Sequence, residues 1–328
     1  MKVAINGFGR IGRTVLRQIL SRPDTADIEV TAINDIAALE TCAYLFQYDS
    51  VFGPYPSRVE ADGACLTVGD RRIPFSGASN LATLDLAGTD VVLECTGRVD
   101  SREIAKRGLA AGARAVLVSG PSGFVDATAV FGAGADVPDT ASIVSNSSCT
   151  TNAIAPLLQA IDATFGIERA HVTTIHCYTG SQPIVDGPRS DLARGRAGAE
   201  SMVPTMTSAA DDLSKVLPSI GPRTSVAAVR VPCLSVSAID ATLQLTRPPG
   251  ADIRRRLREI AARSPVLGLT EDPCVSRDMR ERPESLILAL PETIVQQDSQ
   301  LRLLGWYDNE WGFSARMIDM ARRLCARR

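Results

Sequence analysis

At 328 residues the chain is long enough for two domains of roughly 100–200 residues each. Its 45% hydrophobic and 22% charged residues place it with ordinary globular proteins and exclude disordered or fibrous classes. Thirty-five Lys and Arg against 37 Asp and Glu leave a net charge of -2, without the large basic footprint of a nucleic-acid binder.

No apolar run reaches the ~18 residues of a membrane span, and the opening MKVAINGFGR interrupts its apolar stretch with Asn6 and two glycines. The expectation is therefore a cytoplasmic protein with neither nucleic acid nor membrane as partner. Eight cysteines without a C-x-x-C pair, and only two histidines, give no basis for a disulfide framework or a zinc site, so no metal is expected.

In chain order, Lys2–Asn6 reads as a short apolar strand and Gly12–Leu20 as a helix with Val15, Leu16, Ile19 and Leu20 on one face. Asp27–Ile33 is strand-like and Thr41–Phe46 helical. Ala64–Val68 and Arg72–Phe75 flank Gly69-Asp70 as a hairpin. Val91–Leu93 and Ala115–Val118 are short buried strands on either side of a helix at Arg102–Ala111. Strands alternating with helices imply an α/β domain with a doubly wound parallel sheet.

A helix over Thr151–Phe165 opens a second half with longer alternating segments: Glu168–His176, Ser225–Val231, Ser235–Leu245 and Leu301–Tyr307. These predict an α+β domain with a mixed or antiparallel sheet solvated on one face. Tyr178–Ala199, rich in Gly, Pro, Ser and Arg, reads as a long functional loop. The expected division is residues 1–148 and 149–313, with a helix in 314–328 returning to the first domain.

Gly7-Phe8-Gly9-Arg10-Ile11-Gly12 is a G-x-G-x-x-G placed between a strand and a helix. Gly7 permits the tight turn, Gly9 admits a pyrophosphate to the backbone, and Gly12 lets helix and strand approach closely. The second strand ends in Asp35, suited to the hydroxyls of an adenosine ribose and repulsive to a 2′-phosphate, with apolar Ile36 beside it. The cofactor expected is NAD. Standing alone the motif is weak, and a glycine turn that binds nothing is the bland alternative.

Ser147-Ser148-Cys149-Thr150-Thr151-Asn152 precedes a helix, where unpaired N–H groups and the dipole are expected to lower a thiol pKa. Polar neighbours set Cys149 apart from Cys42, Cys95 and Cys233, which read as structural. His171 and His176 have opposite parity on one strand, so they face opposite ways. His176, leading into the long loop, is assigned as the base that activates Cys149, and His171 as a surface group. A dinucleotide, a thiol and an imidazole fit one chemistry: attack on an aldehyde, a thiohemiacetal, hydride transfer to nicotinamide, and an acyl thioester whose acceptor is phosphate or water.

NGFGRIGR at 6–13, AIND at 32–35, YDSVFG at 48–53, CTGR at 95–98, SNSSCTTN at 145–152, VDGP at 185–188, VRVP at 229–232 and WYDNEWGFSARMID at 306–319 resemble the glyceraldehyde-3-phosphate dehydrogenase family. The resemblance covers essentially the whole chain. It implies a Rossmann NAD-binding domain, a catalytic domain, a homotetramer, and oxidation of glyceraldehyde 3-phosphate with inorganic phosphate to 1,3-bisphosphoglycerate.

By motif, the resemblance puts the nucleophile on Cys149 and the base on His176. It implies a cofactor site of Arg10, Ile11, Asp35, Thr96, Gly97, Ser119 and Asn309 around Gly7, Gly9 and Gly12, with Pro188 similar to NAD-preferring members. Thr179 and Arg230 would meet the substrate phosphate. Ser148, Thr150, Thr207 and Ser208 would line the inorganic-phosphate site, with Arg194 between the two.

Ser208, Asp211 and Ser181 depart from the family pattern, and an acid near an anion site weakens phosphate binding. SGPSG at 119–123 and the DNEWGF ending resemble the non-phosphorylating erythrose-4-phosphate dehydrogenases, the alternative reading. An inactive NAD- or partner-binding paralogue is the other, and the intact Cys149–His176 pair argues against it.

Overall fold

The apolar run KVAIN forms β1 (Lys2–Asn6), whose two neighbours are both parallel to it. A strand enclosed in this way needs no polar alternation, which is why its sequence is apolar almost throughout. The computed structural model describes residues 1–297 and 299–327.

Helix α1 (Arg10–Ser21) starts two residues before the expected Gly12, because Gly9 is its N-cap, and it buries Val15, Leu16 and Ile19. There follow β2 (Glu29–Asn34), α2 (Leu39–Gln47), β3 (Val59–Asp62), β4 (Cys65–Val68), β5 (Arg71–Ser76), β6 (Val91–Glu94), α3 (Arg102–Ala110), β7 (Ala115–Val118), β8 (Ala127–Thr128) and β9 (Ile143–Ser145). The nine strands lie in the order β3-β4-β5-β2-β1-β6-β7-β9-β8. From β5 to β8 every pairing is parallel, and β3-β4-β5 is an antiparallel ribbon at one edge. This is the expected α/β sheet, with the hairpin turning at Gly69.

The second unit opens with α4 (Cys149–Phe165) and continues through β10 (Ile167–Cys177), β11 (Val203–Thr205), α5 (Ala209–Val216), β12 (Thr224–Val231), β13 (Ser237–Leu245), α6 (Ile253–Arg263), β14 (Leu267–Thr270), β15 (Leu286–Ala289), β16 (Ile294–Gln296) and β17 (Gln300–Tyr307). Its main sheet runs β11-β12-β10-β13-β17-β15-β14, with β16 on β17. It is mixed: β10–β12 and β14–β15 are parallel, the other pairs antiparallel. Strand β13 starts two residues later than its sequence suggests, because Val236 sits in the left-handed region at φ 67°. Residues 178–199 contain a single short 3-10 turn, Ala193–Gly195.

By compactness the first unit comprises residues 1–129, 136–147 and Ser314 onward, and the second 130–135 and 148–313. Arg328 and Asp298 lie outside the described residues. Val130–Ala135 joins the second unit, unlike the expected division, because Val130 and Ala133 are buried in that unit's core with Ile154, Leu217 and Val266. From Ser314 the last helix, α7 (Trp311–Ala326), belongs to the first unit, where its Arg322 pairs with Asp27. No described helix is long and apolar enough to cross a membrane.

Candidate active site

In the first unit the strand order reverses at β1, between β2 and β6, the place where doubly wound sheets open a crevice. The last residues of these strands, Asn6, Asn34 and Glu94, line a cavity of about 430 Å³ there, together with Gly7, Gly9, Asp35 and Thr96. Gly7 has φ +90°, and a Cβ on it would lie 2.6 Å from Thr96 N. A Cβ on Gly12 would lie 2.1 Å from the Gly7 carbonyl oxygen, whereas one on Gly9 would meet nothing within 4 Å. Packing thus demands two of the glycines, while the third keeps open an approach to the first N–H groups of α1. With the Asp35 carboxylate at the rim, these residues fit a dinucleotide.

Asp35 also fastens the turn: Phe8 N–H donates to its Oδ2 at 2.6 Å and Ala37 N–H to its Oδ1 at 2.8 Å. Arg10 turns instead to Asp49, at 2.6 Å, and over the Phe52 ring. Arg10, Ile11, Gly12, Gly97 and Ser119 stand outside the cavity lining. Sequence reasoning missed the polar floor, in which Asn34 Nδ2 donates to Asn6 Oδ1 (2.8 Å) and Asn6 Nδ2 to Glu94 Oε2 (2.5 Å). Its signal was a polar residue ending each of three apolar strands.

In the second unit Ser148 caps α4, accepting from Thr151 N–H at 3.0 Å. Just before it, Ser147 is held in the left-handed region (φ 57°), the kind of strain that accumulates where a turn must aim a functional residue. Cys149 opens the helix, with its own N–H, the Thr150 N–H and the Thr150 hydroxyl directed to the sulfur. His176 Nε2 lies 3.5 Å from that sulfur. His176 is buried, whereas His171, on the other face of β10, is exposed and bonded to Ser225 Oγ at 2.8 Å.

The parallel register of β10 and β12 sets Arg230 opposite His176. Arg230 NH1 lies 2.6 Å from His176 Nδ1 and donates to the Cys177 carbonyl at 3.0 Å, and that carbonyl is 2.7 Å from Nδ1. Tyr307, unforeseen from the sequence, presents its ring edge to the imidazole, with centroids 6.0 Å apart. Its hydroxyl links Thr174 Oγ1 (2.7 Å) to Thr150 Oγ1 (3.1 Å).

Burial and the neighbouring Arg230 charge push His176 down to about 3, so its ring is neutral at physiological pH. The expectation of a dipole-lowered Cys149 is corrected here. Burial pushes the thiol up, and the Arg230 charge and the N–H groups of the helix start offset this only in part. The resting pair is therefore a thiol facing a neutral imidazole, with Nε2 on the side of the sulfur.

Asn309 also lies in this unit, its Oδ1 accepting from the Cys177 thiol (3.1 Å) and the Ser237 hydroxyl (3.2 Å). Thr179 Oγ1 is 2.9 Å from Ser181 Oγ, which accepts from Arg194 at 3.2 Å, so these three form one cluster on the 178–199 loop. Thr207 and Ser208 precede α5, where the Thr207 hydroxyl accepts from Ala209 N–H at 3.2 Å. Ser148 and Thr150 commit their hydroxyls to the cap and to Tyr307.

The chain matches the model of the glyceraldehyde 3-phosphate dehydrogenase NAD binding domain over residues 1–102 and that of the C-terminal domain over 148–309. It is 44% identical to the glyceraldehyde-3-phosphate dehydrogenase of Pseudomonas aeruginosa, covering 100% of this chain and 99% of the relative. It is also 44% identical to that of Xanthobacter flavus (98% and 97% covered) and 39% to that of Geobacillus stearothermophilus (98% and 97%). With its Rossmann glycine turn and its Cys–His pair, this chain belongs to the glyceraldehyde-3-phosphate dehydrogenase family.

Proposed function

We infer that Cys149 is the nucleophile and His176 the base in the NAD-dependent oxidation of glyceraldehyde 3-phosphate that this enzyme carries out. The observation that carries the reading is the 3.5 Å approach of His176 Nε2 to the Cys149 sulfur at the start of α4. As sulfur bonds to the aldehyde carbon, the thiol proton passes to Nε2, and the Cys177 carbonyl supports Nδ1–H on the far side of the ring. Gly7, Gly9, Asp35 and Thr96 would hold NAD, which would supply the hydride acceptor for the oxidation. Cys149 is left as an acyl thioester, which inorganic phosphate cleaves to 1,3-bisphosphoglycerate while the sulfur regains its proton.

Arg230 and Thr179 meet the phosphate of the substrate, Ser148, Thr150, Thr207 and Ser208 the attacking phosphate, and Arg194 serves between the two; arginine forks and hydroxyls suit both anions. Asp211 in the first turn of α5 opposes a second anion and raises the phosphate concentration needed. A homotetramer in the cytoplasm belongs to the same reading, tested by sedimentation and by cell fractionation. That these relatives are glyceraldehyde-3-phosphate dehydrogenases favours the three-carbon aldehyde over erythrose 4-phosphate.

The test is NAD reduction on both aldehydes with and without phosphate. Turnover on glyceraldehyde 3-phosphate that requires phosphate is expected, and phosphate-independent turnover on the four-carbon sugar contradicts the reading.

A further inference from the structure

Strands β1, β2 and β6 of the first unit end in Asn6, Asn34 and Glu94, and all three side chains are buried at the floor of the crevice. Their hydrogen bonds form one chain. At one end the Ala78 N–H donates to Asn34 Oδ1 at 2.9 Å. Asn34 Nδ2 donates onward to Asn6 Oδ1 at 2.8 Å, and also to the Ala78 carbonyl at 3.0 Å. Asn6 Nδ2 donates to Glu94 Oε2, while Glu94 Oε1 accepts from the Thr96 N–H at 2.9 Å and from the Thr96 hydroxyl.

The backbone N–H groups at the two ends, of Ala78 and Thr96, both donate inward and cannot turn round. Each amide between them accepts on one side and donates on the other. Such a chain closes only if one member accepts on both sides, and Glu94 is that member. With an NH2 group in place of Oε2, Asn6 would meet a donor with a donor. Turning Asn6 over moves the conflict to Asn34, and turning Asn34 over moves it to the Ala78 N–H, where it stops. A buried donor left without an acceptor is costly. Ala78 and Ser79 line the cavity beside Asp35 and Ile36, so the far end of the chain is a wall of the site itself.

We propose that Glu94 is a positioning residue for NAD, latching the Ala78–Ser79 wall to the crevice floor through Asn6 and Asn34. Both its oxygens are occupied by protein donors, so it acts on the cofactor through these neighbours. The proposal deepens the function given above and rests on this crevice being the NAD site.

The test compares Glu94→Gln, Asn6→Asp and the two combined. Glu94→Gln should weaken NAD binding about tenfold in calorimetry, the scale of one buried bond unmade. KM for NAD should rise by a similar factor, while kcat at saturating NAD changes less than about twofold. Asn6→Asp alone sets two acceptors against each other and should weaken binding comparably. Combined, the substitutions move the double acceptor to position 6, remake every bond and keep the net charge. NAD affinity should then return to within about threefold of wild type.

A carboxylate that only fills space gives no such rescue, and one that only repels the cofactor phosphates gives tighter NAD binding in Glu94→Gln. Either result overturns the latch. Unchanged affinity in Glu94→Gln, with Gly9→Ala still weakening NAD, overturns the latch and spares the site. Binding indifferent to both substitutions overturns both. Hydrogen exchange on the wild type without NAD needs no variant to fold. The Ala78 amide should exchange slowly, and exchange at the rate of an open peptide overturns the latch.

Discussion

Mild acidification, above the carboxylate range, should weaken this protein through His176. Burial and Arg230 push His176 down to about 3, from an ordinary 6.5. Between those values the unfolded chain binds a proton that the folded chain refuses. The stability contribution is therefore complete above about pH 6.5 and is lost as the pH falls toward 3. At 1.36 kcal/mol per unit, the two units from 6.5 to 4.5 amount to about 2.7 kcal/mol.

His176→Gln keeps a polar side chain at the site and removes the titration, and His171 is common to both proteins. Urea unfolding at fixed protein concentration, without NAD, at pH 7.5, 6.5, 5.5 and 4.5 gives the comparison. The difference in unfolding free energy should move by about 2–3 kcal/mol in favour of the variant on going to pH 4.5. A difference that stays constant, or moves the other way, refutes the neutral buried imidazole and with it the resting thiol.

Gly9→Ala and Gly12→Ala should separate binding from folding. With open space at Gly9, alanine there should cost less than about 1 kcal/mol yet weaken NAD binding at least tenfold in calorimetry. At Gly12 the collision with the Gly7 carbonyl should cost about 2–4 kcal/mol in urea unfolding. Tyr307→Phe strips a partner from two buried hydroxyls, Thr150 and Thr174, and should destabilise by about 1–3 kcal/mol by the same measurement.

Asp308 titrates in the opposite sense to His176. Burial pushes it up to about 6, although N–H groups of Trp311, Glu281 and Glu310 donate to it. Its stabilising share is present below pH 3.8 and is lost as the pH rises through 6. Wild type should therefore gain on Asp308→Asn as the pH falls from 7 to 4, by up to about 3 kcal/mol. A pH-independent difference contradicts the assignment.

The parts of the fold legible in the sequence were those where one physical demand dominates. KVAIN and AVLV had to be enclosed strands, and G-x-G-x-x-G between a strand and a helix had to be a tight turn. Parity put His171 and His176 on opposite faces, and the long loop after His176 chose between them. Helix α6 escaped because its sequence, IRRRLREIAAR, buries a stripe only three residues wide, Ile253, Leu257 and Ala261. The short strands β11, β14 and β16 are three or four residues long and show no period.

At the candidate site, the single residues with distinctive chemistry stood out, but their pairings did not. Tyr307 behind Thr150, Arg230 against His176 and the Asn6–Glu94 floor all join residues far apart in the chain. The thiol was misjudged for a related reason. A helix start is visible in sequence, whereas the burial that outweighs it arises only on folding.

The account turns on a covalent bond at the sulfur of Cys149. Rapid quenching after mixing enzyme, NAD and glyceraldehyde 3-phosphate in phosphate-free buffer, followed by peptide mass spectrometry, looks for that bond directly. A 3-phosphoglyceroyl adduct on Cys149, formed with one NADH per site and discharged when phosphate is added, is the predicted result. An unmodified Cys149 during full turnover, or an adduct on another cysteine, contradicts it.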